Sequence, residues 1–152
     1  MKPVKVVILN WNGRSHLERF LPVLVARTPG ADIVVADNGS TDDSADFIRA
    51  RFPQVELLLL DRNYGFAEGY NRALARIEAD YCVLLNSDVE VTEGWLAPLV
   101  ELLERDSAAA AVAPKIRSYA NPGKFECAAA AGGVIDFLGY PLFRGRILDT
   151  IE

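Results

Sequence analysis

Short apolar segments alternate along the chain with stretches whose apolar residues recur every three or four positions. The short segments are apolar at nearly every position, which is typical of parallel strands covered on both faces. They are residues 4–9, 33–36, 55–60 and 81–85. In each of the other stretches, the regularly spaced apolar residues form one face of a helix. They predict helices at residues 17–25, 47–52, 66–77 and 95–103. Strand followed by helix, four times over, predicts an α/β protein with a mostly parallel sheet.

The pattern weakens after Asp106. Residues 108–113 predict a fifth strand that ends at Pro114, and residues 134–138 predict a short strand. Asn121-Pro122-Gly123 predicts a turn between them. Neither an internal repeat nor a low-complexity linker is present. We therefore expect a single domain over residues 1–152, with its core at residues 4–115 and an incomplete region at 116–152.

The composition is that of a globular protein, with 51% apolar and 24% charged residues and a net charge of −5. Nucleic acid is not expected as a partner, because binding its phosphates needs clustered Lys and Arg. Two cysteines form no disulfide framework and suit a reducing compartment. No segment reaches the roughly 20 apolar residues of a membrane helix, and no signal-peptide core follows Met1. We expect a soluble, cytoplasmic chain.

Three polar clusters directly follow three of the predicted strands. They are Asn10-Trp11-Asn12-Gly13, Asp37-Asn38-Gly39-Ser40-Thr41-Asp42 and Asn86-Ser87-Asp88. Parallel strands place their carboxyl ends at one edge of the sheet, where ligands bind. If the first strand lies between the second and the fourth, all three clusters converge on one pocket. Each cluster alone is equally typical of a turn, and Ser40 or Thr41 would then cap the following helix.

The residue types in these clusters indicate a chemistry. Asp37 can accept a hydrogen bond from a base N–H or a ribose hydroxyl, which discriminates well when buried. Asp88 offers a hard oxygen to Mg²⁺ or Mn²⁺, with the Asn86 amide oxygen as a weaker ligand. Such an ion would neutralise a departing diphosphate. Zinc is not expected, because the single histidine, His16, lies in a predicted helix.

A fourth polar stretch runs from Asp61 to Asn71. Gly65 permits a positive φ or a close backbone approach, and Arg62 and Asn63 could contact phosphate or base. The alternative is a simple strand-to-helix turn capped by Asn63. The chain contains neither a phosphate-binding loop of the Gly-x-x-x-x-Gly-Lys type nor a Gly-x-Gly-x-x-Gly or Gly-x-Ser-x-Gly motif.

These motifs together resemble family 2 glycosyltransferases of the GT-A fold, a Rossmann-like three-layer sandwich, and the rhamnosyltransferase-like branch in particular. The resemblance covers residues 4–115. It rests on Val7-Ile8-Leu9-Asn10-Trp11-Asn12-Gly13, on Val34-Val35-Ala36-Asp37-Asn38-Gly39-Ser40-Thr41-Asp42, on Asn63-Tyr64-Gly65-Phe66-Ala67-Glu68-Gly69-Tyr70-Asn71 and on Leu84-Leu85-Asn86-Ser87-Asp88.

The resemblance implies a nucleotide-diphospho-sugar donor, a divalent metal and transfer with inversion at the anomeric carbon. Asp37 matches the family's base- or ribose-binding aspartate, and Asn86-Ser87-Asp88 matches its Asp-x-Asp motif with Asn86 in the first position. The metal ligands would be Asp88 and Asn86. The donor-binding residues would be Asn10, Asn12, Asp37, Asn38, Gly39, Ser40, Arg62, Asn63, Gly65, Asn86 and Ser87.

The family's general base is not recognisable in this sequence. It is a carboxylate that typically lies in a Glu-Asp motif, and no such dipeptide occurs here. Asp136 and Asp149 are downstream aspartates that do not match the motif, so the catalytic residue is unassigned. We therefore expect the chain to be the nucleotide-binding half of a longer enzyme, with residues 116–152 as part of its acceptor side.

Three hypotheses follow. The first is an inverting glycosyltransferase for cell-surface polysaccharide synthesis, with a dTDP- or UDP-sugar donor and a glycan or lipid-linked acceptor at the inner face of the membrane. The second is a non-catalytic or truncated nucleotide-sugar-binding domain. The third is a phosphoacceptor receiver domain, although receivers place acidic residues after the first strand, where Asn10 and Asn12 stand here.

Overall fold

The structure, a computed structural model, describes residues 3–126, 133–135, 137–138 and 141–143. The chain divides into two compact units, Met1–Trp95 and Leu96–Glu152. The elements of the first unit alternate as the sequence predicted. They are β1 (Val4–Asn10), α1 (Arg14–Arg27), β2 (Asp32–Asp37), α2 (Ser44–Arg51), β3 (Glu56–Leu59), α3 (Phe66–Leu74) and β4 (Tyr81–Leu85).

The four strands of this unit form one parallel sheet in the order β3-β2-β1-β4. The first strand therefore lies between the second and the fourth, as the convergence of the polar clusters required. In the register, Asn10 is level with Asp37 on β2, and Ile8 is level with Leu85 on β4. All four carboxyl ends consequently lie at one edge of the sheet.

Helices cover both faces of the sheet, because alternate strand residues point to opposite sides. On one face, α1 and α2 bury side chains against β1 and β2. These are Leu17, Leu21, Leu24 and Ile48, packed on Val6, Ile8, Ile33 and Val35. On the other face, α3 contributes Tyr70 and Ala73, packed on Val7, Val34, Ala36 and Leu58. This three-layer α/β arrangement is the predicted fold class.

The expectation that every strand is covered on both faces is wrong for the edge strands. Leu59 on β3 is 47% exposed and Leu84 on β4 is 53% exposed, and Cys82 is exposed as well. In the register, Leu84 lies beside Val7 on the face covered by α3. The buried positions of α3 contact the central strands, so β4 stays open on this side.

The second unit contains α4 (Leu96–Arg105) and an antiparallel pair, β5 (Gly133–Ile135) and β6 (Pro141–Phe143). The predicted strand at residues 108–113 is wrong. Instead, Asp106 accepts the backbone N–H of Ala109 at 3.0 Å in a turn, and the alanine-rich run that follows is unpaired, in line with the low strand propensity of alanine.

The structure confirms the predicted turn in this region and shortens the second predicted strand. The turn at Asn121-Pro122-Gly123 is confirmed, since Asn121 accepts the backbone N–H of Lys124 at 2.9 Å. The strand predicted at residues 134–138 ends at Ile135. Asp136 and Asp149 lie outside the described residues, as does Cys127. Within the part of the chain that the structure describes, no helix is long and apolar enough to cross a membrane.

Candidate functional site

The ends of β1 and β2 are joined by a buried polar pair. Asn10 and Asp37 are almost completely inaccessible to solvent. The Asn10 Nδ2 group donates to Asp37 Oδ2 at 2.9 Å and to Ser40 Oγ at 3.2 Å. The other carboxylate oxygen, Asp37 Oδ1, accepts the backbone N–H of Ser40 at 2.9 Å. The pair thus orients the loop after β2 relative to β1.

Asn12 ties the same two loops together from the other side. Its backbone has a positive φ of 51°, a conformation that asparagine tolerates better than most residues. Its N–H donates to Ser40 Oγ at 2.9 Å, and its Oδ1 accepts the N–H groups of Thr41 at 2.8 Å and of Asp42 at 3.3 Å. Every backbone N–H from residue 40 to 42 therefore already has an acceptor within the protein.

The capping alternative for this loop is wrong. Helix α2 begins at Ser44, and its N-cap residue is Asp43. Ser40 and Thr41 precede that position and bond to the β1 loop instead. The polar residues after β2 are therefore connectors between loops rather than a helix cap.

A third loop joins this network through Asn38, which is buried. Its Nδ2 donates to Asn63 Oδ1 and to the Gly65 carbonyl, both at 3.0 Å, and its Oδ1 accepts the N–H of Tyr64 at 3.0 Å. Gly65, with a φ of 75°, is the N-cap residue of α3 and has no side-chain cap bond. Asn63 is therefore a link to the β2 loop and does not cap α3.

Two glycines allow the loops to approach one another. A Cβ on Gly39 would lie 2.5 Å from the Cα and carbonyl carbon of Arg62. A Cβ on Gly13 would lie 2.4 Å from Asn10 Oδ1 and 3.6 Å from Ser87 Oγ. Gly39 thus brings the β2 loop against the β3 loop, and Gly13 brings the β1 loop against the loop after β4.

The loop after β4 supplies the oxygens that could bind a cation. Asn86 and Asp88 are exposed and Ser87 is half-buried. The carboxylate of Glu90, the next acidic residue, is paired with Arg27 at 3.0 Å, so Asp88 is the carboxylate that the Asn86-Ser87-Asp88 cluster offers to a cation. Among the described residues, no three His, Cys, Asp or Glu side chains lie close enough to hold a metal together. One carboxylate suits an ion that substrate phosphates and water complete.

The sequence interpretation named no aromatic residue for this site, yet two lie exposed at the same edge. Trp11, between Asn10 and Asn12, is 56% exposed, and Phe66, the first residue of α3, is 65% exposed. Both rings are therefore accessible to a ligand at this edge of the sheet. The sequence carried one signal for Trp11, because its indole stands inside a cluster that is otherwise polar and typical of a turn.

Comparison with known protein families identifies the family of this chain. The family model described as "Glycosyl transferase family 2" matches residues 5–132. The chain belongs to this family. The receiver-domain hypothesis is therefore wrong.

A curated relative is the N-acetylglucosaminyl-diphospho-decaprenol L-rhamnosyltransferase of Mycobacterium tuberculosis. It is 32% identical over an alignment of 124 positions that covers 74% of this chain and 40% of the relative. The chain thus spans less than half the length of that relative.

Solved structures share the GT-A fold. The mannosyltransferase PcManGT from Pyrobaculum calidifontis, in complex with GDP-Man and Mn²⁺, superposes with a TM-score of 0.68 at 24% identity, covering 76% of this chain and 36% of that one. TarS 1-349 from S. aureus, in complex with UDP-GlcNAc, gives 0.59 at 20% identity, covering 68% and 31%.

Proposed function

We propose that this chain binds the nucleotide-diphospho-sugar donor of an inverting glycosyltransferase. The observation that carries the proposal is the alignment of three polar strand ends, those of β2, β1 and β4, side by side at one sheet edge. In an open parallel sheet, this edge is where ligands bind. The family 2 sequence match supports a sugar transfer as the reaction of the whole protein.

The nucleoside would occupy the β1 and β2 loops. A base N–H or ribose hydroxyl would be accepted by Asp37, because each Asp37 oxygen keeps acceptor capacity beyond the bond it makes. The exposed Trp11 indole offers a face on which a base can stack. Asn12, Asn38, Gly39 and Ser40 would shape this pocket, with Arg62, Asn63 and Gly65 at its rim.

The diphosphate would require a cation. The chain carries a net charge of −5, and the backbone N–H groups of residues 40–42 are already bonded internally. Backbone donors in this loop therefore cannot hold the phosphates. We infer that Asp88 and the Asn86 amide oxygen would hold Mg²⁺ or Mn²⁺. When bound, the ion would stabilise negative charge on the leaving diphosphate, and the Mn²⁺ in the PcManGT complex supports this choice.

The acceptor side is inferred from the relatives. The mycobacterial relative is named for a decaprenol-linked acceptor. We therefore propose a lipid-linked or glycan acceptor, a dTDP- or UDP-sugar donor and a site at the inner face of the membrane. In the transfer, a base takes the proton of the acceptor hydroxyl, the oxygen attacks the anomeric carbon, and the nucleoside diphosphate leaves. None of the described residues is assigned as that base.

A second candidate is a domain that binds the donor without transferring its sugar. The absence of a Glu-Asp dipeptide favours it. Both candidates require donor binding, so they differ only in turnover. Release of the sugar from a dTDP- or UDP-sugar by this chain, to water or to an acceptor, would decide for the transferase.

The test of donor binding is Asp88→Ala, measured by calorimetry with UDP in Mn²⁺ and in EDTA. We expect the parent to bind at least about tenfold more tightly with Mn²⁺, equivalent to about 1.4 kcal/mol. Asp88→Ala should lose this gain and keep the metal-free affinity. Asp46→Ala, which removes a carboxylate with an 84% exposed side chain on α2, is the control. Equal metal-supported affinity in Asp88→Ala and the parent would contradict the proposed role.

A further inference from the structure

The loop of residues 86–95, called here the 86–95 loop, is fastened at its beginning. Tyr70, on the buried face of α3, donates its hydroxyl to the Leu85 carbonyl at 3.1 Å. Leu85 is the last residue of β4 and itself belongs to the buried core. The segment that carries Asn86 and Asp88 therefore starts from a fixed point.

The far end of the 86–95 loop is fastened to the last turn of α1. Arg27 Nη1 donates to Glu90 Oε1 at 3.0 Å and to the Val91 carbonyl at 2.7 Å. One residue further on, Thr28 Oγ1 accepts the indole N–H of Trp95 at 3.2 Å. Arg27 is the final residue of α1 and Thr28 is its C-cap, so the end of one helix makes all three hydrogen bonds.

The helix that provides this anchor is itself rigidly placed. Leu17, Leu21 and Leu24 of α1 are each 1% exposed in the core on the sheet. A basic residue in the last turn also interacts favourably with the helix dipole. Arg27 thus connects a well-packed element to a loop that packs Val91 into the same core and exposes Asn86 and Asp88.

The two contacts of Arg27 differ in how much they stabilise the 86–95 loop. The Glu90 pair lies at the surface, with 35% and 36% of the two side chains exposed, and such pairs contribute little. The bond to the Val91 carbonyl is short and has a charged donor, and Val91 is only 5% exposed. Removing Arg27 would take away the donor of a carbonyl next to the core. Of the two contacts, the hydrogen bond to the Val91 carbonyl therefore constrains the 86–95 loop more than the Glu90 ion pair does.

We propose that Arg27 is a positioning residue for the cation and diphosphate site, because it fixes the 86–95 loop so that Asp88 faces its ligand. The inference rests on the proposed function, since it assigns Arg27 to the site formed by Asp88. Arg27 contacts neither donor nor cation in this scheme. Residues that hold a metal ligand in place commonly change metal affinity by tenfold or more when replaced.

The test compares Arg27→Ala and Arg27→Lys with Arg49→Ala, which removes an exposed arginine paired with Asp46. Two quantities are measured on each protein: UDP affinity in Mn²⁺ and in EDTA, and hydrogen exchange of the backbone amides of residues 86–94. For Arg27→Ala we expect about tenfold weaker binding in Mn²⁺, unchanged binding in EDTA, and faster exchange confined to the 86–95 loop.

The other variants separate the two contacts. Arg27→Lys should be intermediate, because an ammonium group can donate to the Val91 carbonyl but lacks the guanidinium fork. Glu90→Gln should change metal-supported affinity by less than about twofold, as expected for a surface pair. Arg49→Ala should match the parent in both measurements. If Arg27→Ala fails to fold, Arg27→Lys carries the same comparison.

Several results would overturn the inference. The positioning role is contradicted if Arg27→Ala, or Arg27→Lys where the alanine variant does not fold, keeps the metal dependence of the parent. It is also contradicted if hydrogen exchange of residues 86–94 is unchanged. An equal loss of affinity in Mn²⁺ and in EDTA would indicate a general structural role instead. Failure of the parent to bind UDP, dTDP or GDP more tightly with Mn²⁺ would instead overturn the proposed function and the positioning role together. The parent measurement therefore distinguishes the two failures.

Discussion

Single asparagine side chains determine how the loops at the sheet edge meet. Asn10, Asn12 and Asn38 each bond to a neighbouring loop that is 25 to 30 residues away in sequence. An amide can do this because it carries two donors and an acceptor on a short side chain. The same property makes asparagine common in turns, which is why the sequence left the role of these residues open.

Gly39 is the residue at which the structure leaves least room for change. Its φ is +72°, and a Cβ would lie 2.5 Å from the Arg62 backbone. We expect Gly39→Ala to lower the free energy of unfolding by more than the about 1–3 kcal/mol of backbone strain alone. Urea denaturation measures the loss.

Gly94→Ala is the matched control, because Gly94 has a φ of +66° but no atom within 4 Å of the added Cβ. It isolates the cost of the backbone conformation. The difference between the two variants then reports the contact with the β3 loop. Equal losses in both would show that this contact does not constrain the loops.

At the level of elements, Asp42 joins the beginnings of α1 and α2. Its Oδ2 accepts the Arg14 N–H at 3.1 Å, and its Oδ1 accepts both the N–H and the hydroxyl of Ser44. Burial raises the pKa of this carboxyl. The hydrogen bonds from Ser44 and Arg14 lower the pKa by more than burial raises it, so the net pKa lies below the ordinary value. The carboxylate form is therefore favoured by folding.

A lowered pKa in the folded state has a defined sign for stability. The contribution of Asp42 is fully present above the unfolded-state pKa, about 3.9, and is lost as pH falls through the lower folded-state pKa. We expect the difference in unfolding free energy between the parent and Asp42→Asn to shrink across that acid window. Denaturant unfolding from pH 6 to about pH 2 measures it.

Asp46→Asn serves as the reference in the same titration, because the Asp46 side chain is 84% exposed. Its difference from the parent should stay small at every pH. A difference for Asp42→Asn that does not change with pH would contradict the assigned hydrogen bonds.

The molecule as a whole combines an acidic chain with a proposed anionic ligand. A ligand that binds only the folded state stabilises it by about 2.7 kcal/mol at a concentration of 100 Kd. We expect UDP- or dTDP-sugars to raise the melting temperature in Mn²⁺, and to do so less in EDTA. A thermal-shift panel that includes GDP-sugars identifies the base.

The same panel can contradict the proposal. If none of the three nucleotide classes shifts the melting temperature with Mn²⁺ present, this chain does not bind a donor by itself. A shift with GDP-sugars alone would replace the UDP or dTDP assignment and leave the site in place. Catalysis is then a separate measurement, made by following sugar release.

Much of the fold was predictable because its signals are local. Continuous apolar segments and helical stripes depend on nearby residues, so all four strands and four helices of the regular region were found. The errors lie where local pattern is insufficient. Residues 108–113 have an apolar, strand-like sequence but do not form a strand, and the apolar Leu84 lies on an edge strand that α3 leaves open.

The sequence by itself determined the alternation of strands and helices, the parallel sheet and the three polar strand ends, since hydrophobic periodicity and turn chemistry are properties of short segments. Only the tertiary structure decided what these polar residues contact. It showed that the N–H groups of residues 40–42 are bonded internally, that Asn10 keeps an unpaired oxygen, and that Arg27 holds the loop of Asp88. Each of these depends on residues far apart in sequence, which meet only when the sheet order brings their loops together.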